Sequence, residues 1–281
     1  LKNVAIRNGA LQGTTDTVTL NAAIDVAPDI NVCVDAARVA RAAAVCATQT
    51  APMRVSLNKT GGLSIRSGRF SASMPSLPDT DSFPWTEPEG SACSIDNPEQ
   101  FVAALKTVRQ FVSKDATRPW AMGVRVTPNR LYATNNIILV TSQVALGSDF
   151  PSFTLPVSAV DEVVRLHGSL KLLPKRLMVS AQNVTFLYAG KWWAKTRLLT
   201  DEWPDVMKLL LEAKKVKLSP IAATLKESFF ALKPFLPATS PVHIENGSIR
   251  TSTDEANYAG FDGIEEGCAM FTSETLSLAL S

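Results

Sequence analysis

Short runs that alternate apolar and polar residues recur along the chain, with stretches of helical period between them. The run "NVTFLYAG", residues 183–190, alternates with a period of two, which predicts a half-buried strand. A helix is predicted after Asn97 and Pro98, which suit its cap and its first turn. Its apolar stripe has spacings of four, three and four residues and consists of Phe101, Leu105, Val108 and Val112.

The same order of features occurs more than once. In residues 63–84 and again in residues 184–204, an apolar strand leads to a glycine, and a leucine, acidic residues and an aromatic–proline pair follow. A third copy begins near Pro220, which corresponds to Pro98 of the second copy. The period of about 120 residues is too long for a solenoid unit and is typical of a duplicated domain.

One repeat comprises a helix, strands, a second helix and further strands, which predicts α+β domains with two helices on antiparallel sheets. The predicted domains are residues 1–94, 95–213 and 214–281. By the period, the first domain lacks its first helix and the third lacks its C-terminal half. We therefore expect about 25 further residues before Leu1 and about 45 after Ser281.

Composition narrows the class of protein. The longest apolar runs are much shorter than a bilayer span, so no membrane protein is expected. The four cysteines are scattered without a C-x-x-C pair, which indicates reduced thiols in a cytoplasmic protein. The net charge is +2, so any contact with nucleic acid must come from charge placed on one face.

The sequence contains no recognisable catalytic or metal-binding motif. His167 and His243 fit surface or capping positions better than a general base, and no Cys, His and carboxylate residues have metal-ligand spacing. The acidic cluster of Asp201, Glu202 and Asp205 fits a solvated turn. Neither a phosphate-binding glycine loop nor a nucleophile elbow occurs. We therefore expect no enzyme, no metal and no cofactor.

Basic residues lie off the apolar stripes of predicted helices in all three repeats. Arg38 and Arg41 share a face of the second helix of the first repeat. Lys106, Arg109 and Lys114 belong to the first helix of the second repeat, and Lys226 and Lys233 share a face of the first helix of the third. An ordinary solvated helix face explains the cations of any single helix. A shared placement in three repeats also fits contacts with phosphates, which need charge without base recognition. The candidate DNA-binding residues are Arg38, Arg41, Lys106, Arg109, Lys114, Lys226 and Lys233.

Three segments resemble the bacterial sliding clamp family, the β subunit of DNA polymerase III. "ATNNIIL", residues 133–139, is similar to the family pattern A-T-D-x-x-R-L, although Asn135 stands where the family has Asp and Ile138 where it has Arg. "RLLTDEWPDV", residues 197–206, is similar to R-x-x-G-x-F-P-D-Y. Between them, residues 154–166 resemble the family's strand, turn and helix. The resemblance extends over the chain at the level of the repeats.

The resemblance implies a fold, a function and partners. It implies the DNA clamp fold, in which helices of every domain line the hole of a ring. The expected function is that of a processivity factor, a homodimeric ring that encircles double-stranded DNA and tethers the replicative DNA polymerase. A separate ATP-driven clamp loader would open the ring. The departures suggest a specialised member, for instance one encoded by a phage and acting in the host bacterial cytoplasm.

Two further sites follow from the resemblance by position. One is a pocket that captures a short apolar peptide of the polymerase and of other partners. Its expected residues are Ala121, Thr134, Asn136, Ile137, Leu139 and Val242. The other is a head-to-tail contact between the first and third repeats, for which the expected residues are Ala72, Met74 and Phe261. From the residues alone, strand core positions explain Ile137, Leu139 and Met74 equally well.

Two other functions stay open at this point. The chain could be a non-catalytic structural or assembly scaffold built from duplicated α+β domains. It could also be an enzyme whose site has no sequence motif, which a polar pocket of converging ionisable groups would indicate.

Overall fold

The computed structural model divides the chain into two compact units. The first comprises Leu1–Ala133 and Thr141–Asp201, and the second comprises Thr134–Val140 and Glu202–Ser281. The residues that the structure describes are 2–27, 29–78, 80–147, 150–206, 208, 210, 223–245, 247–251, 258–260 and 268–280. The predicted division into three domains is not decided by these two units and stays a prediction.

The first part of unit 1 is a series of four strands, one helix and three further strands. Helix α1 spans Ala36–Ala47. The strands before it are β1 Asn3–Arg7, β2 Ala10–Thr14, β3 Val18–Ala23 and β4 Asn31–Asp35. The strands after it are β5 Arg54–Leu57, β6 Leu63–Ser67 and β7 Phe70–Met74.

A second series of the same kind follows, preceded by a strand and a helix. Strand β8 spans Ser91–Ser94 and helix α2 spans Pro98–Arg109. Strands β9 Gly123–Val126, β10 Arg130–Thr134, β11 Leu139–Gln143 and β12 Phe153–Pro156 come next. They lead into helix α3 Val157–Leu170 and then into β13 Arg176–Val179, β14 Asn183–Leu187 and β15 Trp193–Arg197.

Unit 2 contains the third series. Helix α4 spans Ala223–Leu232 and helix α5 spans Ser273–Leu280. Between them lie β16 Pro241–Glu245, β17 Ser248–Thr251, β18 Tyr258–Gly260 and β19 Cys268–Thr272. Short 3₁₀ turns occur in both units, at Thr80–Ser82, Pro119–Met122, Ala189–Lys191 and Lys233–Phe235.

The strand order of the sheets repeats three times. The order β4-β1-β2-β3 recurs as β12-β9-β10-β11 and as β19-β16-β17-β18. In unit 1 the first of these sets continues through β3 into β15-β14-β13-β8, which makes one eight-stranded sheet. Strands β5-β6-β7 form a separate three-stranded sheet, in which β7 is an edge strand. The prediction of an α+β fold with helices on antiparallel sheets is confirmed.

Helix α2 shows why these segments fold where they do. The Asn97 side chain accepts a hydrogen bond from the backbone N–H of Gln100 at 2.9 Å, so the predicted cap is present. Phe101, Leu105 and Val108 of the apolar stripe are buried. The helix ends at Arg109, however, so Val112 lies beyond it and its predicted place in the stripe is wrong.

The segment that links the first two series, residues 86–89, is attached to the eight-stranded sheet by a buried polar network. The Gln12 side chain is fully buried, donates to the carbonyl oxygen of Thr86 at 2.9 Å and accepts from the Thr86 N–H at 3.0 Å. The ammonium of Lys195 donates to the Thr86 hydroxyl at 2.8 Å and to the carbonyl of Glu87 at 2.9 Å. It also pairs with the Glu89 carboxylate at 3.2 Å. The segment is therefore hydrogen-bonded to β2 through Gln12 and to β15 through Lys195.

We predict that Gln12→Leu destabilises unit 1 by about 2–4 kcal/mol, because the substitution leaves the backbone N–H and C=O of Thr86 without partners. Urea unfolding followed by circular dichroism measures the change. Gln182→Leu, at an exposed turn position, is the matched control and should change the unfolding free energy by less than about 0.5 kcal/mol. Equal midpoints for the two variants would show that the network contributes nothing.

The Glu89 carboxylate gives the network a pH dependence. Hydrogen bonds from Lys195 and Asn183 lower the pKa of Glu89 in the folded state. Its contribution to stability is therefore present above the unfolded-state pKa and is lost as the pH falls through the lowered folded-state pKa.

We predict that Glu89→Gln loses less stability than the wild type between about pH 6 and about pH 3. Urea midpoints at the two pH values measure this difference. Asp16→Asn, which removes an exposed carboxylate from the β2–β3 turn, should keep the wild-type dependence. A wild-type slope in Glu89→Gln would assign the acid sensitivity to other groups.

Candidate nucleic-acid interface

Helix α1 presents two arginines to solvent. The helix begins after Asp35, whose carboxylate accepts a hydrogen bond from the Arg38 N–H at 2.8 Å. Its buried side is formed by Ala42 and Cys46, whereas Arg38 and Arg41 are exposed. The predicted placement of both arginines on the polar face is therefore observed, and their guanidinium groups are accessible to an anionic partner.

Helix α2 carries one accessible cation and one compensated cation. Lys106 is exposed. Arg109 forms a two-pronged ion pair with Asp161 of α3, in which the second guanidinium nitrogen lies 2.9 Å from the carboxylate. This pair raises the pKa of Arg109 and neutralises its charge locally. Because both side chains are more than two-fifths exposed, the pair contributes only about 0–1 kcal/mol to stability.

The sequence predicted that Lys114 belongs to α2, and this prediction is wrong. The helix ends at Arg109, and Lys114 lies in the following loop with its side chain exposed. Since buried Phe111 and Ser113 precede it, the chain there already packs against the domain.

In unit 2, Lys226 is an exposed residue of α4. Lys233 follows the helix, in the turn Lys233–Phe235. The prediction that Lys226 and Lys233 share one helix face is therefore wrong. The ammonium of Lys233 donates to the Ser277 hydroxyl of α5 at 2.6 Å and lies 5.2 Å from the centre of the Phe230 ring. This lysine therefore connects the end of α4 to α5. That all these cations line one channel stays a prediction.

The residues expected in the peptide pocket differ in exposure. Ala121 and Val242 are buried and have no exposed surface. Thr134 is buried, Leu139 is half-buried and Asn136 is exposed. Ile137 is 72% exposed. The expected peptide pocket stays a prediction, with Ala121 and Val242 buried and Asn136 and Ile137 exposed.

The turn around Ile137 has a defined geometry. The Asn135 side chain accepts hydrogen bonds from the N–H groups of Ile137 at 3.1 Å and Ile138 at 2.8 Å. Asn136 adopts a left-handed conformation with φ of 73°, which asparagine tolerates better than most residues. Its N–H donates to the Thr134 hydroxyl at 3.0 Å. These bonds hold an isoleucine side chain out into solvent.

The expected subunit contact needs one correction. Met74 is 3% exposed and packs in the core with Leu63 and Ile65, so it is not an exposed edge residue. The alternative that Met74 is a core residue is the one observed. Ala72 is half-buried on the same outer strand. Phe261 lies outside the described residues.

Sequence inspection missed Lys195, which is 9% exposed and has an ion pair and two further hydrogen bonds. The sequence feature that could have identified Lys195 is its position two residues after Trp193 on an alternating strand. This spacing puts the lysine on the same face of the strand as a large aromatic residue. Arg165 was also missed, and it pairs with Glu162 on α3.

Neither a metal centre nor a membrane span is found in the described part of the chain. Its His, Cys, Asp and Glu side chains form no cluster of three that could hold an ion. None of its helices has the length and apolar character that crossing a bilayer requires.

Comparison with solved structures identifies the fold. No family model matches the sequence, and no curated protein matches it. A DNA polymerase sliding clamp from Caulobacter crescentus is similar over 100% of this chain and 81% of its own, with a TM-score of 0.75 and 18% identity. The DNA polymerase III β subunit of Thermotoga maritima covers 99% of this chain and 80% of its own, with a TM-score of 0.74 and 16% identity.

A third similar structure is the Helicobacter pylori β clamp bound to a DNA ligase peptide, with a TM-score of 0.71 and 15% identity over 99% of this chain and 82% of that one. The chain has the fold of a bacterial DNA sliding clamp. The clamp fold expected from the three motif segments is thereby confirmed. At these identities the comparison establishes the fold.

Proposed function

We propose that this protein is a sliding clamp, a processivity factor that encircles duplex DNA and tethers a replicative DNA polymerase. The observation that carries the proposal is the match of almost the whole chain to bacterial β clamps, with one strand order repeated three times. The domains proposed are residues 1–94, 95–213 and 214–281. No observation favours a scaffold function.

The exposed helix cations support contact with DNA. Arg38, Arg41 and Lys106 can approach phosphates, which carry the sequence-independent part of DNA affinity. The charge of Arg109 is already matched by Asp161, so it adds little. With a net charge of +2, the chain would hold DNA by enclosure rather than by tight contact, which leaves the protein free to slide.

Ring closure requires a second copy of the chain. A head-to-tail contact that closes makes a ring, and the outer strand β7 offers backbone groups for pairing across such a contact. Opening would need a separate ATP-driven loader, since the sequence has no nucleotide-binding glycine loop. Tethering then makes polymerase rebinding effectively intramolecular. This activity places the protein in a bacterial cytoplasm, in the host if a phage encodes it.

Partner capture is proposed at the turn that exposes Ile137. The Helicobacter pylori clamp was solved with a DNA ligase peptide, and a short apolar segment is the kind of partner that an exposed isoleucine suits. An affinity in the micromolar range, about 8 kcal/mol, is expected for one short docked segment.

Retention on DNA tests the proposed function. We predict that protein loaded onto nicked circular DNA co-elutes with that DNA in gel filtration and is released when the DNA is linearised, because a ring can slide off an end. A cognate loader and ATP would be present during loading. Equal retention on circular and linear DNA would exclude enclosure and therefore exclude the clamp function.

The ion pair of Arg109 allows a finer prediction. Lys106→Gln should weaken salt-sensitive binding of duplex DNA and lower the salt slope by about 0.9, as expected for one lost phosphate contact. Arg109→Gln should have a smaller effect because Asp161 already neutralises this arginine, and Asp161→Asn should strengthen binding. Fluorescence anisotropy at several salt concentrations measures all three. A larger loss in Arg109→Gln than in Lys106→Gln would contradict this interpretation.

A further inference from the structure

A cavity of about 770 Å³ opens on the eight-stranded sheet of unit 1, beside the segment that Gln12 and Lys195 attach to this sheet. Cross-strand register places Leu187 opposite Trp193 and Trp193 opposite Asn21, so these side chains share one face of the sheet. Phe186 and Ala194, which alternate with them, lie beside α3 on the other face. The cavity therefore occupies the face that α3 leaves uncovered.

Aromatic rings form much of the cavity wall. Three of the five tryptophans of the chain line it, Trp85, Trp192 and Trp193, together with Tyr188. Trp193 is buried, whereas Trp85 and Trp192 are half-buried and keep part of their rings accessible. The Trp85 ring is positioned by its indole N–H, which donates to the Glu87 carboxylate at 2.9 Å.

Two cations lie at the rim, one at the end of a strand and one in a turn. Arg7 ends β1 and Lys191 lies in the turn between β14 and β15, and both side chains are exposed. Neither forms an ion pair with any residue that the structure describes. Glu87 is the one carboxylate of the cavity wall and is engaged by Trp85. The cavity therefore combines accessible indole rings with uncompensated positive charge.

We propose that this cavity binds single-stranded nucleic acid without sequence preference. Bases can stack on Trp85 and Trp192 while Arg7 and Lys191 contact the phosphates, which is the combination that single-strand binding surfaces use. A volume of about 770 Å³ is within the range of ligand sites. A duplex, whose bases are already stacked, offers no free ring faces to these indoles.

The sheet topology favours this ligand over an extended peptide. Peptides that bind sheets commonly add a strand to a free edge. The strands that carry the cavity, β1, β2, β3, β14 and β15, are all interior strands of the eight-stranded sheet. Strand addition is therefore not available at the cavity, and recognition must come from rings and charges. The site is separate from the helices that are proposed to meet duplex DNA.

Quenching of tryptophan fluorescence by an oligothymidylate of about ten nucleotides tests the proposal. We predict saturable, salt-sensitive quenching by the intact protein, and much weaker binding of an abasic oligonucleotide with the same number of phosphates. Trp192→Ala should lower the affinity by about 5- to 150-fold, the range measured for loss of one stacked base. The affinity of this variant is read by anisotropy of labelled oligonucleotide.

Lys191→Gly supplies a variant that should fold normally. Lys191 has a φ of 60°, a conformation that glycine adopts without strain, so the substitution removes the charge and keeps the turn. We expect weaker binding and a salt slope lower by about 0.7. Lys171→Gly is the matched control, because Lys171 is also exposed, has a φ of 56° and lies at the end of α3. It should bind as the wild type does.

Four results would overturn the proposal. The first is the absence of saturable binding, and the second is equal affinity for the abasic and the thymidylate oligonucleotides. The third is an equal loss in Lys191→Gly and Lys171→Gly, which would indicate general attraction to a charged surface. Tighter binding of an acidic, aromatic peptide to the same residues would assign the cavity to a protein partner instead.

Discussion

The pairing of β3 with β15 is the interaction on which the arrangement of unit 1 depends. Antiparallel register from Val18 opposite Thr196 to Asn21 opposite Trp193 joins two four-strand sets into one sheet. Without this pairing both sets would expose an unpaired edge, which is a liability for aggregation. The buried side chains of Gln12 and Lys195 then fasten the connecting segment over the joint. Backbone pairing and buried side-chain hydrogen bonds therefore both hold the two four-strand sets together.

Ion pairs compensate three of the cations of unit 1 and leave cations on its helix faces accessible. Arg109, Arg165 and Lys195 are matched by carboxylates within unit 1, while Arg38, Arg41 and Lys106 are exposed on helices. A protein that slides on DNA needs weak, sequence-independent contacts, and a few accessible cations provide them without tight adhesion. The low net charge is therefore compatible with the proposed function, although composition by itself gave no sign of it.

The alternating and helical patterns of the sequence predicted the strands, the helices and their repetition. Which face of a strand is buried, and where a helix ends, could be determined only from the structure. In β7, Phe70, Ala72 and Met74 share one face by alternation, but the sequence cannot tell whether that face meets solvent or the core. The structure pairs Met74 with Leu63 and Ala72 with Ile65, which lie on the core side against α1. Similarly, Val112 continues the spacing of the apolar stripe past the end of α2 at Arg109, which is why the predicted helix was long enough to include Lys114.

The turn at Asn135 shows why a departure from a family pattern need not change local structure. The family has an aspartate at this position, and an Asp side chain there would act through an acceptor oxygen. The amide oxygen of Asn135 accepts the N–H groups of Ile137 and Ile138, so it meets the same backbone requirement without a negative charge. The turn therefore forms without a negative charge at this position, and Ile137 makes its surface apolar. Under the proposed function, a partner that contacts this turn would need a more apolar surface there than a partner of a clamp with aspartate.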